Sequence, residues 1–474
     1  MNRNVSELLK EIEELKIALV KALARIEVLE KENAELRARL AMNSSNSSFP
    51  PSSDKFVKKK DKNRSLRVKS SKTSGGQIGH KGATLEKAKN PDFIVELLND
   101  VCPHCSHDLK DVQIDEIKSR QVFDIPKIKI NVTEYRAHSK TCPHCNKKTT
   151  SKFPKNVTHN TQYGSNIKGL ILNLNIYQSL PYKRLQELLD DVFNLKLSQG
   201  TIYNTLKTAY SSLESVENFF KDELSNAPVA HADETGTKLN GSNRWIHSFS
   251  NENYTVLTSH KNRGKKAIID AGILPNFHGI LVHDCWYAYD TFNHIRHGLC
   301  CAHFLRELQG IQDNTSLEFP QKIKDTLLKL KSFVENDKII DEKMEVSLSL
   351  EYILAVEKGF LEEAHHYPFD PTVGGRPKRS KAYNLLKRLQ RYEDVLTFFT
   401  ERNASLFTNN AAEREIRNVK IKSKVQGAFR SELGADIFCR IRSYIVTMKK
   451  NGYNQYTALK SVFELCDTML PIVK

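Results

Sequence analysis

One tetrapeptide occurs twice, as Cys102-Pro-His-Cys105 and Cys142-Pro-His-Cys145, and this repetition limits the architecture more than any other feature. A Cys-x-x-Cys turn lets two thiolates reach one ion, and two such knuckles close a four-sulfur tetrahedral site for one structural Zn2+. His104 and His144 are alternative ligands, although four thiolates already satisfy the metal. Thirty-six residues lie between the knuckles, and the β-like runs Arg120 to Ile125 and Ile128 to Tyr135 are expected to fold there as a small ribbon. The N-terminus lacks the unbroken apolar block of a signal peptide. In such a chain paired cysteines read as metal ligands rather than disulfides. A redox dithiol and buried unligated cysteines are the competing readings.

Charge narrows the partners. The 474 residues carry 72 Lys+Arg against 56 Asp+Glu, a formal +16, which favours a polyanion, either nucleic acid or an anionic membrane. No apolar run reaches the ~18 residues of a membrane span, so no membrane partner is expected. Double-stranded DNA is the expected ligand, and a cytoplasmic, nucleoid-associated location follows. Half of the net charge sits in residues 55–72, where nine Lys/Arg face Asp61 alone. Lys58, Lys59, Lys60 and Arg64 in this run suit non-specific phosphate contacts driven by counterion release.

The first forty residues carry a heptad seam. Leu8, Ile12, Leu15, Leu19, Ala22, Ile26, Leu29, Asn33, Leu36 and Leu40 keep strict 4-3 spacing. Ile12, Leu19 and Ile26 at one core position, with mostly Leu at the other, favour a parallel two-stranded coiled coil and hence a homodimer. Asn33 on the Ile-type position fixes register at a cost in stability. The alternative is a single amphipathic helix packed on its own domain. The seam then gives way to NSSNSSFPPSSD (43–54), a Ser- and Pro-rich linker.

Further along, Pro181 to Phe193 reads as an amphipathic helix with Leu185, Leu188 and Leu189 inward. Ser198 can cap a second helix, Gln199 to Tyr210. This is a helix-turn-helix layout in which Gln199, Thr201, Tyr203 and Asn204 face DNA. Helix pairs with short turns also serve as ordinary packing units.

From about 228 the texture changes to strands: Val229 to Lys238, Arg244 to Ser250, Tyr254 to Ser259 and Ile280 to His283, with a helix at Gly264 to Ala271. Asp233 closes the run Val229-Ala230-His231-Ala232, with Glu234-Thr235-Gly236 expected to turn, and Asp284 closes Gly279 to His283. The strand-strand-strand-helix-strand order is that of a ribonuclease H-like sheet, with the two carboxylates side by side. Glu413 follows Asn409 and Asn410, either of which can cap a helix and place it in the first turn. Cleavage of a phosphodiester by two divalent ions needs such oxygen ligands, with Mg2+ or Mn2+ as the hard cations that fit them. Arg414, Arg417, Lys420, Lys422 and Lys424 could be a solvated helix face or could line the path of the DNA backbone. For Trp286 and Tyr289 a core role is the better reading than base stacking.

These segments together resemble the insertion-sequence 66 family of transposases over nearly the whole chain. They are NSSNSSFPPSSD (43–54), the paired knuckles, HADETGTKLNGSNRWIHSFS (231–250), LVHDCWYAYDTF (281–292), HGLCCAHFLREL (297–308) and NNAAEREIRNVKIKSKVQGAFRSELGADIFCRIRSYI (409–445). Phe49 stands where that linker commonly has a basic residue. The resemblance implies that Asp233, Asp284 and Glu413 are an Asp-Asp-Glu catalytic triad holding two Mg2+ or Mn2+ ions. It matches Cys300 and His303 to the family's Cys-x-x-His element, with Arg414 accessory beside Glu413. The same pair could instead be a helix face that merely packs.

The expected fold is an α/β ribonuclease H-like catalytic core with a helical insertion, preceded by a coiled coil, a zinc ribbon and a helix-turn-helix. In residues these are a coiled coil at 1–42, a basic linker at 43–90, a zinc ribbon at 91–158 and a helical DNA-binding segment at 159–225. The core follows at 226–308 and 401–474, split by the insertion at 309–400. The expected function is a DNA transposase that cleaves element ends and transfers the 3′-hydroxyl into target DNA, with companion transposition proteins possible. A DNA-binding regulator with an inactive sheet domain, and a two-metal nuclease without a joining step, are the alternatives.

Overall fold

The computed structural model describes residues 5–40, 79, 84–335, 342–367, 379–391 and 407–464. Lys58, Lys59, Lys60 and Arg64, with most of the linker, lie outside the described residues. Val5–Leu40 forms one helix, α1, as expected of a stretch without Gly or Pro and rich in Leu, Glu, Lys and Ala. Among the described residues nothing covers its seam: Ile12, Leu15, Leu19, Ile26 and Leu36 are each about half exposed or more. Among the described residues no helix is long and apolar enough to cross a membrane.

The strands expected between the knuckles do not form. Residues 113–138 carry no regular structure, and two three-residue strands, β1 (Ser139–Thr141) and β2 (Lys148–Thr150), bracket the second knuckle as an antiparallel pair. The apolar alternation that suggested strands finds nothing to pack on, since Val122 and Val132 are about nine-tenths exposed.

The centre is a five-stranded mixed sheet in the order β5-β4-β3-β6-β7. β3 (Val229–Leu239), β4 (Ser242–Ser250) and β5 (Thr255–His260) run antiparallel. β6 (Ile280–His283) and β7 (Arg296–Leu299) join parallel to β3. Two expectations change here. β3 does not turn after Asp233 but pairs with β4 as far as Leu239, and the chain reverses at Asn240-Gly241, both with positive φ, the dipeptide that suits a two-residue hairpin. β7 was not expected, because Arg-His-Gly-Leu has neither alternation nor β-branched residues; lying parallel beside β6 makes it a strand.

Both sheet faces are covered. Ala230, Ala232 and Leu281 enter a large core shared with α2 (Ser165–Leu172), α3 (Tyr182–Phe193), α4 (Gln199–Ser212), α5 (Glu214–Ser225), α6 (Lys265–Asp270) and the C-terminal helices. Ile280 and Val282 enter a second core with α8 (Cys301–Asn314), α9 (Phe319–Glu335), α10 (Glu342–His366) and α11 (Lys381–Arg391). Alternation along β3 therefore sends Asp233 and Glu234 to opposite faces. The expected cap of α4 is present: Ser198 Oγ accepts from Thr201 N at 3.0 Å.

The outer strand β5 would present unpaired backbone groups, and the helix Glu432–Lys450 (α13) covers them. Ser443 Oγ accepts from Leu257 N at 2.8 Å, and Thr447 Oγ1 accepts from Thr255 N at 3.0 Å. All four residues are buried. Ser443→Ala or Thr447→Val strands a buried N–H and is expected to lower unfolding free energy by ~1–3 kcal/mol. Urea unfolding measures this, and an unchanged midpoint would contradict the edge-capping role.

Candidate active site

Asp233 and Asp284 lie on adjacent strands. The last paired position of β3 with β6 is His231↔Val282, so each Asp stands two residues further along its own strand's course. The helix Asn410–Gln426 (α12) packs on β3 and β4 and carries Glu413 in its first turn. Among the described residues the three carboxylates do not close on one point as a single ligand group, but the charge of Glu413 is near enough to disfavour the anions of both Asp233 and Asp284. Burial, then the charges of Glu234, Asp284 and Glu413, holds the Asp233 carboxyl well above the usual range. Burial, then Glu234, pushes Asp284 up to about 7, with Arg263 pulling the other way. Asp284 Oδ1 is buried without a hydrogen-bond partner. An all-oxygen donor set with repelling charges and an orphaned carboxylate oxygen fits a hard divalent cation.

Asn409 ties these pieces together in a way its sequence position did not reveal. It occupies the N-cap position of α12, but its side chain caps nothing there. Fully buried, it donates through Nδ2 to the Ala232 carbonyl at 2.7 Å, next to Asp233. Its backbone N–H donates to Cys300 Sγ at 3.3 Å, and its carbonyl accepts from Glu413 N at 3.1 Å. One residue thus joins β3, the start of α8 and the start of α12.

Cys300 and His303 do meet Glu413. One donor atom from each lies within 4.8 Å of the others, with His303 Nδ1 at 3.9 Å from Glu413 Oε1. Burial pushes the Cys300 thiol up to about 11 and lowers His303, so the first is a neutral thiol and the second favours the neutral ring. Arg417 holds the other Glu413 oxygen at 3.1 Å.

Sequence reasoning missed a supporting network. Glu234, buried on the opposite face from Asp233, accepts from Arg263 Nη2 at 2.7 Å and from Tyr289 Oη at 2.7 Å. Arg263 stacks on Trp286 at 4.0 Å and faces Trp245 at 5.0 Å. Tyr289 is fully buried and Trp286 packs against the same core, in keeping with the core reading of both. The adjacent acidic residue in Asp233-Glu234 was the available signal, since a strand passing between two buried cores must satisfy both carboxylates.

The other expected site residues divide. On α12, Arg414, Arg417 and Lys424 are exposed. Lys420 and Lys422 turn inward: Lys420 Nζ donates to the Gly236 carbonyl at 2.6 Å, and Lys422 Nζ sits 3.5 Å over the Phe429 ring. The reason is helical period, which places residue 422 on the stripe of Ala412, Glu415, Ile416 and Val419 that faces the sheet. On α4, Gln199 and Asn204 are exposed, whereas Thr201 bonds Ser198 and Tyr203 packs on the core.

Each knuckle brings its own two sulfurs together. Backbone N–H groups lower the Cys102 thiol (His104 first, then Cys105) and the Cys142 thiol (Cys145 first, then His144). Ser106 and Asn146 take the same left-handed turn, φ 58° and 53°. Among the described residues the four sulfurs do not form one ligand group; the knuckles stand as two separate pairs. Two thiol pairs with donor-rich turns fit zinc in chemistry.

Comparison with known proteins now places the chain. The Transposase IS66 family matches residues 160–437, the zinc-finger binding domain of transposase IS66 matches residues 99–146, and a family of unknown function (DUF6444) matches residues 1–86. No curated protein matches. Among solved structures, the simian T-cell lymphotropic virus intasome in complex with PP2A regulatory subunit B56 gamma aligns at 13% identity over 44% of this chain and 78% of that chain. Its TM-score of 0.15 carries no argument. A match that spans the sheet, the helices between Asp284 and Glu413, and Glu413 itself, behind a matching zinc finger, makes this chain a member of the IS66 transposase family, a DNA-processing enzyme with a zinc-binding domain.

Proposed function

We propose that the chain is an Asp-Asp-Glu transposase whose ribonuclease H-like sheet cleaves element ends and transfers the freed 3′-hydroxyl into target DNA. The observation that supports this reading is the orphaned Asp284 oxygen beside Asp233, both carboxyls raised by burial and by the nearby charge of Glu413, in a chain of a transposase family. These carboxylates would hold Mg2+ or Mn2+, which supplies electrostatic stabilisation to the attacking and leaving oxygens of an in-line displacement. Asn409 fixes the spacing of the strand carrying Asp233 and the helix carrying Glu413. Arg263 and Tyr289 fix Glu234, so the charge behind Asp233 cannot relax away. Arg414, Arg417 and Lys424 line the exposed side of α12, where a DNA backbone passes next to Glu413.

In the same reading α3 and α4 act as a helix-turn-helix presenting Gln199 and Asn204, and the two knuckles close on one Zn2+. α1 pairs with α1 of a second copy as a coiled coil, which covers its exposed Ile and Leu seam and handles two element ends together. Incubating the chain with labelled end DNA and Mg2+ is expected to give nicks at the element boundary and, with plasmid present, joined products. Binding without any cleavage would instead support a regulator, and nicks without joining would support a nuclease.

A further inference from the structure

We infer that His283, Asp290 and His297 form a second transition-metal site, separate from both the knuckles and the carboxylates. One donor atom from each residue lies within 4.8 Å of the other two. His283 ends β6 and is fully buried, and Asp290 ends the short helix Tyr287–Asp290 (α7) and is nearly so. His297 lies on β7 opposite Leu281, which puts its ring on the same sheet face as His283.

The two rings already point at each other, with His283 Nε2 and His297 Nδ1 at 3.0 Å. His297 Nε2 is 3.2 Å from the Phe292 carbonyl. A carbonyl only accepts, so the His297 proton sits on Nε2 and its Nδ1 lone pair faces His283. Imidazole ligands are commonly oriented in this way, with one nitrogen tied to a carbonyl and the other turned to the ion. In the ion-free site the proton on His283 Nε2 fills the space between the rings. A cation takes its place, and that proton moves to His283 Nδ1, a buried atom without an acceptor, so ion binding must also offset one stranded N–H. The nitrogens of a tetrahedral pair sit slightly further apart than 3.0 Å, so the rings part by a few tenths of an ångström, roughly, on binding.

Two imidazoles and one carboxylate select a first-row dication such as Zn2+ over Mg2+, which prefers oxygen donors. Arg391 Nη1 of α11 lies 3.4 Å from Asp290 Oδ2, so the ion shares that carboxylate with the helices between Asp284 and Glu413. The site would brace β6 directly behind Asp284. The site is independent of the catalytic role of the carboxylates, and metal content rather than activity reports on it.

The test uses the full chain carrying Cys102→Ser and Cys142→Ser, loaded with Zn2+, dialysed and counted by plasma mass spectrometry. One zinc per chain is expected, falling to none in the further variants His297→Gln and Asp290→Asn, with folding checked by circular dichroism. Co2+ loading should give d–d absorption without a thiolate charge-transfer band, which separates this site from the Cys300–His303–Glu413 group. No bound zinc in the knuckle-deficient chain would overturn the inference even if both further variants failed to fold. A zinc content unchanged by His297→Gln and Asp290→Asn, or a thiolate band, would overturn it equally.

Discussion

Asp233→Asn, Asp284→Asn and Glu413→Gln are each expected to reduce metal-dependent end cleavage by ~10³-fold or more, about 4 kcal/mol of barrier, while end-DNA binding stays within a few-fold. The amide keeps the size of each side chain and removes the charge that would hold a cation. On the proposed reading the three positions act as one unit, so the double variant Asp233→Asn/Glu413→Gln should lose little more than either single one. Gel-based cleavage assays beside fluorescence-anisotropy binding separate the two quantities. Cleavage in any of the three at more than a tenth of the wild-type rate would remove that residue from the catalytic set.

Asp284 also shapes stability. Asp284 titrates near 7 in the folded chain because burial, and then Glu234, disfavours its anion, whereas in the unfolded chain it titrates near ~4. Between these values the folded state binds a proton that the unfolded state lacks, so this contribution falls as pH rises from ~4 through about 7. The buried imidazoles act in the opposite sense. Burial holds His231 and His247 at about 4 and His283 at about 3, so their contribution is lost as pH falls below ~6.5.

Asp284→Asn removes the first effect and leaves the second. Without divalent ions it should be more stable than wild type at pH 8, by ~1–3 kcal/mol, with the difference vanishing towards pH 4. In wild type, saturating Mg2+ should raise the melting temperature by roughly 5 °C or more at pH 8 and far less at pH 5; in Asp284→Asn the rise should largely disappear. Differential scanning fluorimetry across this pH range reads both. An Mg2+ shift of equal size at pH 5 and pH 8 would mean that the ion binds elsewhere.

How much of this was legible depended on whether the cause was local. Asp233 and Asp284 could be placed from the apolar runs that precede them, because a strand announces itself in five or six residues. The α4 cap at Ser198 was readable for the same reason. The length of β3 was misread because Glu234-Thr235-Gly236 looks like a turn in isolation; pairing with all of β4 overrides it, and Asn240-Gly241 was the better signal. Asn409 carried a helix-capping signature yet spends its amide on Ala232, 177 residues away in sequence. No local rule can see that bond. Nor could spacing foresee Glu234, Arg263 and Tyr289 meeting from three separate segments. Lys422 shows the reverse: its inward position follows from helical period and could have been taken from the sequence before any basic patch was drawn.

The most direct measurement of the central claim is strand transfer by Asp233→Cys with pre-cleaved element ends and plasmid target, run in parallel with Mg2+ and with Mn2+. Pre-cleaved ends isolate the joining step, and a thiolate at position 233 accepts Mn2+ more readily than Mg2+. If Asp233 ligates the catalytic ion, joined products disappear with Mg2+ and return in part with Mn2+, while wild type joins with either. Joining by Asp233→Cys at the wild-type rate in Mg2+ would contradict the assignment of this carboxylate to the metal centre.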